Sequence, residues 1–143
     1  RVSRMVRDNI IKYIGVPHSY AGINCLTIIH DFYKNELNID CIADLIPKDI
    51  DEAGRRWISK ITLPQIEEWA LIHGTKVNLT DAQDFDVIVF KSVRFERPIH
   101  FGMFLKPGHM LHLEEGRTSR YETITTEWAN CFHAIYRHHS LVQ

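Results

Sequence analysis

The chain has 143 residues, with 45% hydrophobic and 24% charged side chains, the proportions of one domain with a single core. A chain of this size buries about 68–70% of its unfolded surface and needs neither metal nor disulfides to fold. Seventeen basic against eighteen acidic residues give a net charge of −1, which argues against a nucleic-acid binder working through a basic footprint. Cys25, Cys41 and Cys131 are too few and too scattered for a disulfide scaffold, and the odd count leaves at least one thiol free.

The apolar runs, such as Val87-Ile88-Val89-Phe90, fall far short of the roughly 20 residues that cross a bilayer, so no membrane-spanning segment is expected. From Arg1 to Ile14 the chain carries basic residues, but Asn9 and Lys12 interrupt its apolar positions and no small-residue cleavage site follows. No secretion signal is therefore read within the chain. The first residue is Arg and not Met, which leaves open a segment removed upstream.

In chain order, Ser3 is placed to cap a first helix with Val6, Ile10, Tyr13 and Ile14 at helical spacing and Gly15 as its stop. After a loop, Asn24 serves as N-cap for a second helix from Cys25 to about Leu37, with Leu26, Ile29, Tyr33 and Leu37 on its buried stripe. Asp49 to Ile61 reads as a third, shorter helix. Thr62-x-x-Gln65 is a capping-box pattern opening a fourth, which ends near Gly74. Beyond Gly74 the texture changes to short β-branched and aromatic runs at Val87–Phe90, Ile99–Leu105, Met110–Leu113, Tyr121–Ile124 and Phe132–Tyr136. Turn signals at Lys106-Pro107-Gly108 and Glu115-Gly116 separate them. Helices first and an antiparallel sheet afterwards make the α+β class, with no linker, repeat or low-complexity tract.

Cys25 falls in the first turn of its helix, where unpaired N–H groups and the helix dipole favour a thiolate. A buried, inert thiol is the ordinary alternative, so the deciding point is a base within reach. In the run Ile99–Leu105, Phe101, Met103 and Leu105 share one face, and His100 shares the other with Gly102, which leaves space beside it, and Phe104. His112 stands between Leu111 and Leu113 on the following strand, an apolar setting in which an imidazole needs a partner. Two histidines on adjacent strands can lie side by side, one as base for the thiol and the other orienting that base.

At these residues the chain resembles the NlpC-type family of papain-like cysteine peptidases, which cut stems or cross-links of bacterial cell-wall peptides. The family's Gly-x-Pro-Tyr-x-Trp-Gly-Gly, short loop and Asp-Cys-Ser-Gly-Leu-Val are matched by Gly15-Val16-Pro17-His18-Ser19-Tyr20-Ala21-Gly22-Ile23-Asn24-Cys25-Leu26-Thr27-Ile28-Ile29. Its Gly-Asp-Leu-Val-Phe-Phe, His-Val-Gly-Ile-Tyr-Leu-Gly and Ile-His-Ala look like Phe85 to Phe90, His100 to Leu105 and Leu111-His112-Leu113, and the run Trp128 to Arg137 resembles its closing strand. The likeness runs from Val6 to His138. It implies a single NlpC-type domain over residues 1–143, in which helices pack on the sheet, and a catalytic triad of Cys25, His100 and His112. Cys25 would attack an amide carbonyl, His100 would accept and return the proton, His112 would hold the imidazole, and the Cys25 N–H would be one oxyanion donor.

His18 stands where the family has Tyr and Tyr20 where it has Trp, so both are expected at the oxyanion or the substrate. Asn24 replaces Asp, and Leu26-Thr27 replace Ser-Gly. The resemblance implies a thiol hydrolase whose substrate is a peptidoglycan peptide. The short loop between Gly22 and Cys25 looks like the branch found among bacteriophage tail proteins, which implies tail proteins as partners and a location in a virion or at the cell envelope. A reading of another class stays open: an assembly protein of a phage tail that keeps the fold with weak or partner-directed cleavage. Retention of competent side chains at all three triad positions favours catalysis.

Other chemistries lack their patterns. Neither His-Glu-x-x-His nor Cys-x-x-Cys occurs, His109 and His112 would face opposite sides of a strand, and His138-His139 reads as solvated, so no metal or cofactor is expected. Gly-x-Ser-x-Gly is absent as well. Trp57 and Trp69 are expected in packing, Glu67-Glu68 and Arg55-Arg56 on solvated faces, and Cys41 and Cys131 as buried thiols.

Overall fold

The structure is a computed structural model and describes residues 4–20, 22–94 and 97–141. Helix α1 (Arg4–Asp8) tightens into a 3-10 turn over Asn9–Tyr13, and Gly15 leaves it at φ +84°, a conformation open to glycine. The expected cap Ser3 lies outside the described residues. The loop that follows is sewn to the segment before the fifth strand: Gly15 N–H donates to Ser119 O at 2.9 Å, Ser119 N–H to Val16 O at 2.8 Å and His18 N–H to Arg117 O at 2.9 Å.

Helix α2 (Cys25–Phe32) starts where expected. Asn24 Oδ1 accepts from the N–H groups of Leu26 and Thr27 at 2.9 and 3.0 Å, and Thr27 Oγ1 accepts in return from Asn24 N–H at 2.8 Å. This reciprocal cap satisfies donors the first turn would otherwise leave unpaired. Leu26, Ile29 and Tyr33 are buried as the stripe requires, and a π-type turn over Tyr33–Leu37 carries the helix to Asn38, which stops it at φ +57°.

The third helix is shorter than its pattern. Helix α3 (Ile50–Ala53) ends at Gly54, whose φ of +95° breaks the helical path, and Trp57–Lys60 form a separate 3-10 turn. Helix α4 (Leu63–His73) keeps the expected capping box between Thr62 and Gln65, with Trp69 buried and donating to Cys41 O at 2.9 Å.

Among the described residues six strands make one antiparallel sheet, β1 (Gly74–Val77), β2 (Val87–Lys91), β3 (Pro98–Leu105), β4 (His109–His112), β5 (Arg120–Thr123) and β6 (Phe132–His138), in the order β1-β6-β2-β3-β4-β5. Strand β1 follows α4 directly, beginning at Gly74, and lies so close to β6 that a Cβ on Gly74 would fall 2.0 Å from Arg137 O. Trp128 belongs to a short helix, α5 (Thr126–Asn130), so the closing strand begins at Phe132 and not at Trp128 as the resemblance implies. Thr125 caps that helix and removes Trp128 from the sheet.

The sheet has two apolar faces. Val87, Val89, Phe101, Met103, Leu105, Leu111, Ala134 and Tyr136 form one core with α2 and α4, and Ile88, Phe90, Phe104, Met110 and Ile135 form a second on the other face, with Trp128 and Phe132 against it. The alternation along β3 is the one read from the sequence. Space beside Gly102 is taken by Met110, whose Sδ would lie 2.8 Å from an added Cβ. Phe85, at the position where the resembled motif has glycine, adopts φ +78°; its ring stacks on Phe32, and its carbonyl accepts from the Tyr33 hydroxyl. Packing thus holds a side chain in the left-handed region that would otherwise favour glycine. Next to it, the fully buried Asp86 carboxylate takes Arg137 Nε and Nη2 at 2.9 and 2.8 Å and ties β2 to β6. The three cysteines are free thiols, Cys41 and Cys25 buried and Cys131 only half-buried, where full burial is expected. No helix among the described residues is long and apolar enough to cross a membrane.

Candidate active site

Strand β3 runs past the end of β4, because their pairing covers only Met103 to Leu105. Amide groups along a strand point alternately to its two neighbours. Phe104 N–H bonds Asp86 O on the β2 side at 2.8 Å, so Phe101 N–H points to the β4 side, beyond the last paired residue. That N–H is among the backbone groups that act on the Cys25 thiol. The α2 cap and the open edge of β3 together place the thiol one residue from His100.

His100 Nε2 lies 2.8 Å from His112 Nδ1, and the two rings meet edge to face. Both are buried, at 5% and 1% exposure. His112 Nε2 is 2.6 Å from Glu122 Oε1 on β5, and Glu122 stands diagonally across from His112 on the same face, since β4 and β5 pair Met110 with Glu122 and His112 with Arg120. Trp128 of α5 stacks on the His100 ring at 4.4 Å and 20°, with Phe90 beyond it. Glu122 and Trp128 escape sequence reading: register across β4 and β5 and the fold of a five-residue helix bring them here, and neither has a local pattern.

Burial decides the resting charges. The Cys25 thiol is pushed up to about 12 by burial, opposed by backbone N–H groups of Phe101, Cys25 and Leu26. The lowering expected from the helix start is therefore outweighed, because removing the sulfur from water penalises the anion more than the helix dipole favours it. His100 is pushed well down, first by burial and then by His112, and His112 is also lowered by burial against the opposing pull of Glu122. Burial thus favours a neutral thiol and neutral imidazoles.

His18 and Tyr20 lie on the loop leading to Cys25, their rings edge to face at 4.9 Å. Tyr20 carries the guanidinium groups of Arg55 and Arg56 over its ring at 4.6 and 4.9 Å, and Arg56 also reaches Glu115 at 3.0 Å. The two arginines are exposed, as expected, but they are tied to this loop through cation–π contacts. His109 faces away from His112, stacking on Tyr121, and His138 packs against His73 and His139 instead of standing free in solvent. Glu67 bonds the Tyr136 hydroxyl at 3.2 Å, so it too is engaged.

The sequence matches no protein-family model and no curated protein. Solved structures do match the architecture. An NlpC/P60 family protein from Bacillus cereus superposes with a TM-score of 0.64 at 20% identity over 93% of this chain. This is the NlpC/P60 fold. The NlpC/p60 domain of the peptidoglycan hydrolase SagA gives 0.60 at 18% identity, covering 92% of this chain and 95% of that one. RipD from Mycobacterium tuberculosis, described as a non-catalytic NlpC/p60 domain protein adapted to peptidoglycan binding, gives 0.56 at 18% identity over 92% and 93%. The NlpC/P60 fold thus occurs in hydrolytic and in non-catalytic proteins. This chain spans 39% of the length of the Bacillus cereus protein.

Proposed function

We propose that the protein is a cysteine peptidase that cleaves an amide bond in a peptidoglycan stem or cross-link peptide, with Cys25 as nucleophile, His100 as base and His112 orienting it. The observation that carries this is the 2.8 Å contact between His100 Nε2 and His112 Nδ1, with the Cys25 thiol acted on by the backbone N–H of Phe101, the residue after His100. With Nε2 engaged, His100 has Nδ1 left to serve the sulfur. That supplies the nucleophile, base and orienting group of thiol hydrolases.

From a neutral pair the reaction starts with proton transfer. His100 Nδ1 takes the thiol proton as the sulfur attacks the carbonyl carbon, and negative charge develops on the carbonyl oxygen near the start of α2, where the Cys25 N–H is a donor. Collapse breaks the C–N bond, and the imidazolium returns its proton to the leaving amine. Water then gives a proton to His100 and attacks the thioester; the C–S bond breaks, the sulfur regains the proton, and a carboxylic acid departs.

A second reading, a peptidoglycan-binding or tail-assembly protein without turnover, draws on the buried, protonated thiol and on the existence of the non-catalytic RipD with this fold. Mass spectrometry of muropeptides separates the two. A peptidase yields a new amine and a new carboxylate terminus with the wild type; retention of muropeptides without any cleaved product would establish the binding reading.

A further inference from the structure

We propose that Glu122 is a positioning residue that sets the protons of the histidine pair, so that the nitrogen His100 offers to the thiol is a base. The inference rests on the peptidase reading and adds a fourth member to it.

A carboxylate accepts and cannot donate. The 2.6 Å contact between Glu122 Oε1 and His112 Nε2 therefore places a proton on that Nε2. A neutral imidazole has one N–H, so His112 Nδ1 bears a lone pair. The 2.8 Å contact to His100 Nε2 then needs the proton on His100, whose Nδ1 is left unprotonated. Reversing the pair keeps every heavy-atom distance but puts the His100 proton on Nδ1, where it cannot accept one from sulfur. The two histidines alone do not choose between these arrangements. Glu122 does.

The surroundings of Glu122 suit this role. Arg120 Nη2 lies 3.5 Å from Glu122 Oε1 and 2.6 Å from Glu114 Oε1, so a cation balances the acidic pair beside His112. His112, Glu114 and Glu122 also bring ligand atoms within 4.8 Å of one another. The guanidinium on both carboxylates already supplies positive charge at that cluster, and a metal on His112 Nε2 would displace the proton on which the relay depends. The groups facing the pair are thus Glu122, Glu114 and Arg120, with Trp128 stacked on His100.

The test is ¹⁵N NMR of histidine-labelled full-length protein near neutral pH, with kcat and KM on a muropeptide. In the wild type both rings should carry the proton on Nε2 and a bare Nδ1. Glu122→Ala should lose that pattern and lower kcat roughly 10- to 100-fold, the range for partners that orient a histidine through its second nitrogen, with KM nearly unchanged. Glu122→Gln, whose amide oxygen can accept the same proton, should keep the pattern and most of the rate. A wild-type His112 protonated on Nδ1, or Glu122→Ala with the same pattern and the same kcat, overturns the proposal. The wild-type spectrum alone decides it if the alanine variant does not fold. No hydrolysis together with the expected ring protons would remove the peptidase reading and leave the positioning intact.

Discussion

At the scale of single residues, burial keeps the Cys25 thiol and the His100 ring uncharged. Cys25 and His100 are 8% and 5% exposed; at Cys25 desolvation outweighs the backbone N–H groups that favour the thiolate, and at His100 desolvation and the neighbouring His112 both disfavour the imidazolium. This has a consequence for stability. A histidine lowered in the folded state binds its proton more readily when unfolded, near its ordinary value of about 6.5, so stability is full above that value and declines as pH falls through it toward the folded value. Thermal melts of the wild type should drop between pH 7 and pH 4, and His100→Gln should melt with a shallower pH slope over that range. Equal slopes would mean that His100 protonates freely in the fold. Asn24 makes a second residue-scale case: its Oδ1 caps α2 while its buried Nδ2 has no partner among the described residues. Asn24→Ala should cost about 1–2 kcal/mol in denaturant melts through the lost cap, whereas Asn24→Asp keeps both accepted bonds but buries an unpartnered anionic oxygen in place of Nδ2 and should recover only part of that stability.

Among the elements, local signals and long-range pairing divide the site. The start of α2 is legible because a cap is a short-range device: Asn24, Thr27 and the apolar stripe behind them sit within a few turns of chain. The faces of β3 are legible because alternation is local, which is why His100 and Phe101 fall on the sides expected of them. The split of 49–61 was not, since Gly54 inside a helical pattern is tolerated often enough to be read through, and only its φ of +95° shows the break. Strand β1 has four residues and exposed Thr75 and Lys76, too short and polar for a pattern to announce. Trp128 lies in a run that looks continuous with β6, and the cap at Thr125 is what turns it into a helix over His100. If that stacked ring holds His100, Trp128→Ala should lower kcat about 10-fold or more, as loss of orientation does, with a far-ultraviolet spectrum like the wild type; an unchanged kcat would reduce the contact to packing.

For the whole molecule, the chemistry depends on parts far apart in sequence meeting along one sheet. Helix α2 lies on one face and the histidines on the other, with Cys25 set against Phe101, the residue after His100, where β3 runs past β4. That edge stays in place because β2, next to β3, is bound to β6 by pairing and by the buried Asp86–Arg137 bridge. Arg137→Met leaves a carboxylate buried without its cation and should destabilise the protein by about 3–5 kcal/mol in denaturant melts; the added change Asp86→Asn should restore part of the loss. The likeness to NlpC/P60 structures at 20% identity or less shows the fold, while activity has to be established on the site itself. The most direct measurement is a time course of muropeptide incubation with wild type and Cys25→Ala, quenched in acid, with product and protein masses read from the same samples. The wild type should release a cleaved peptide, any acyl adduct should map to Cys25, and the folded alanine variant should release nothing. Release at an equal rate by Cys25→Ala, or an adduct on another residue, would contradict the thiol mechanism.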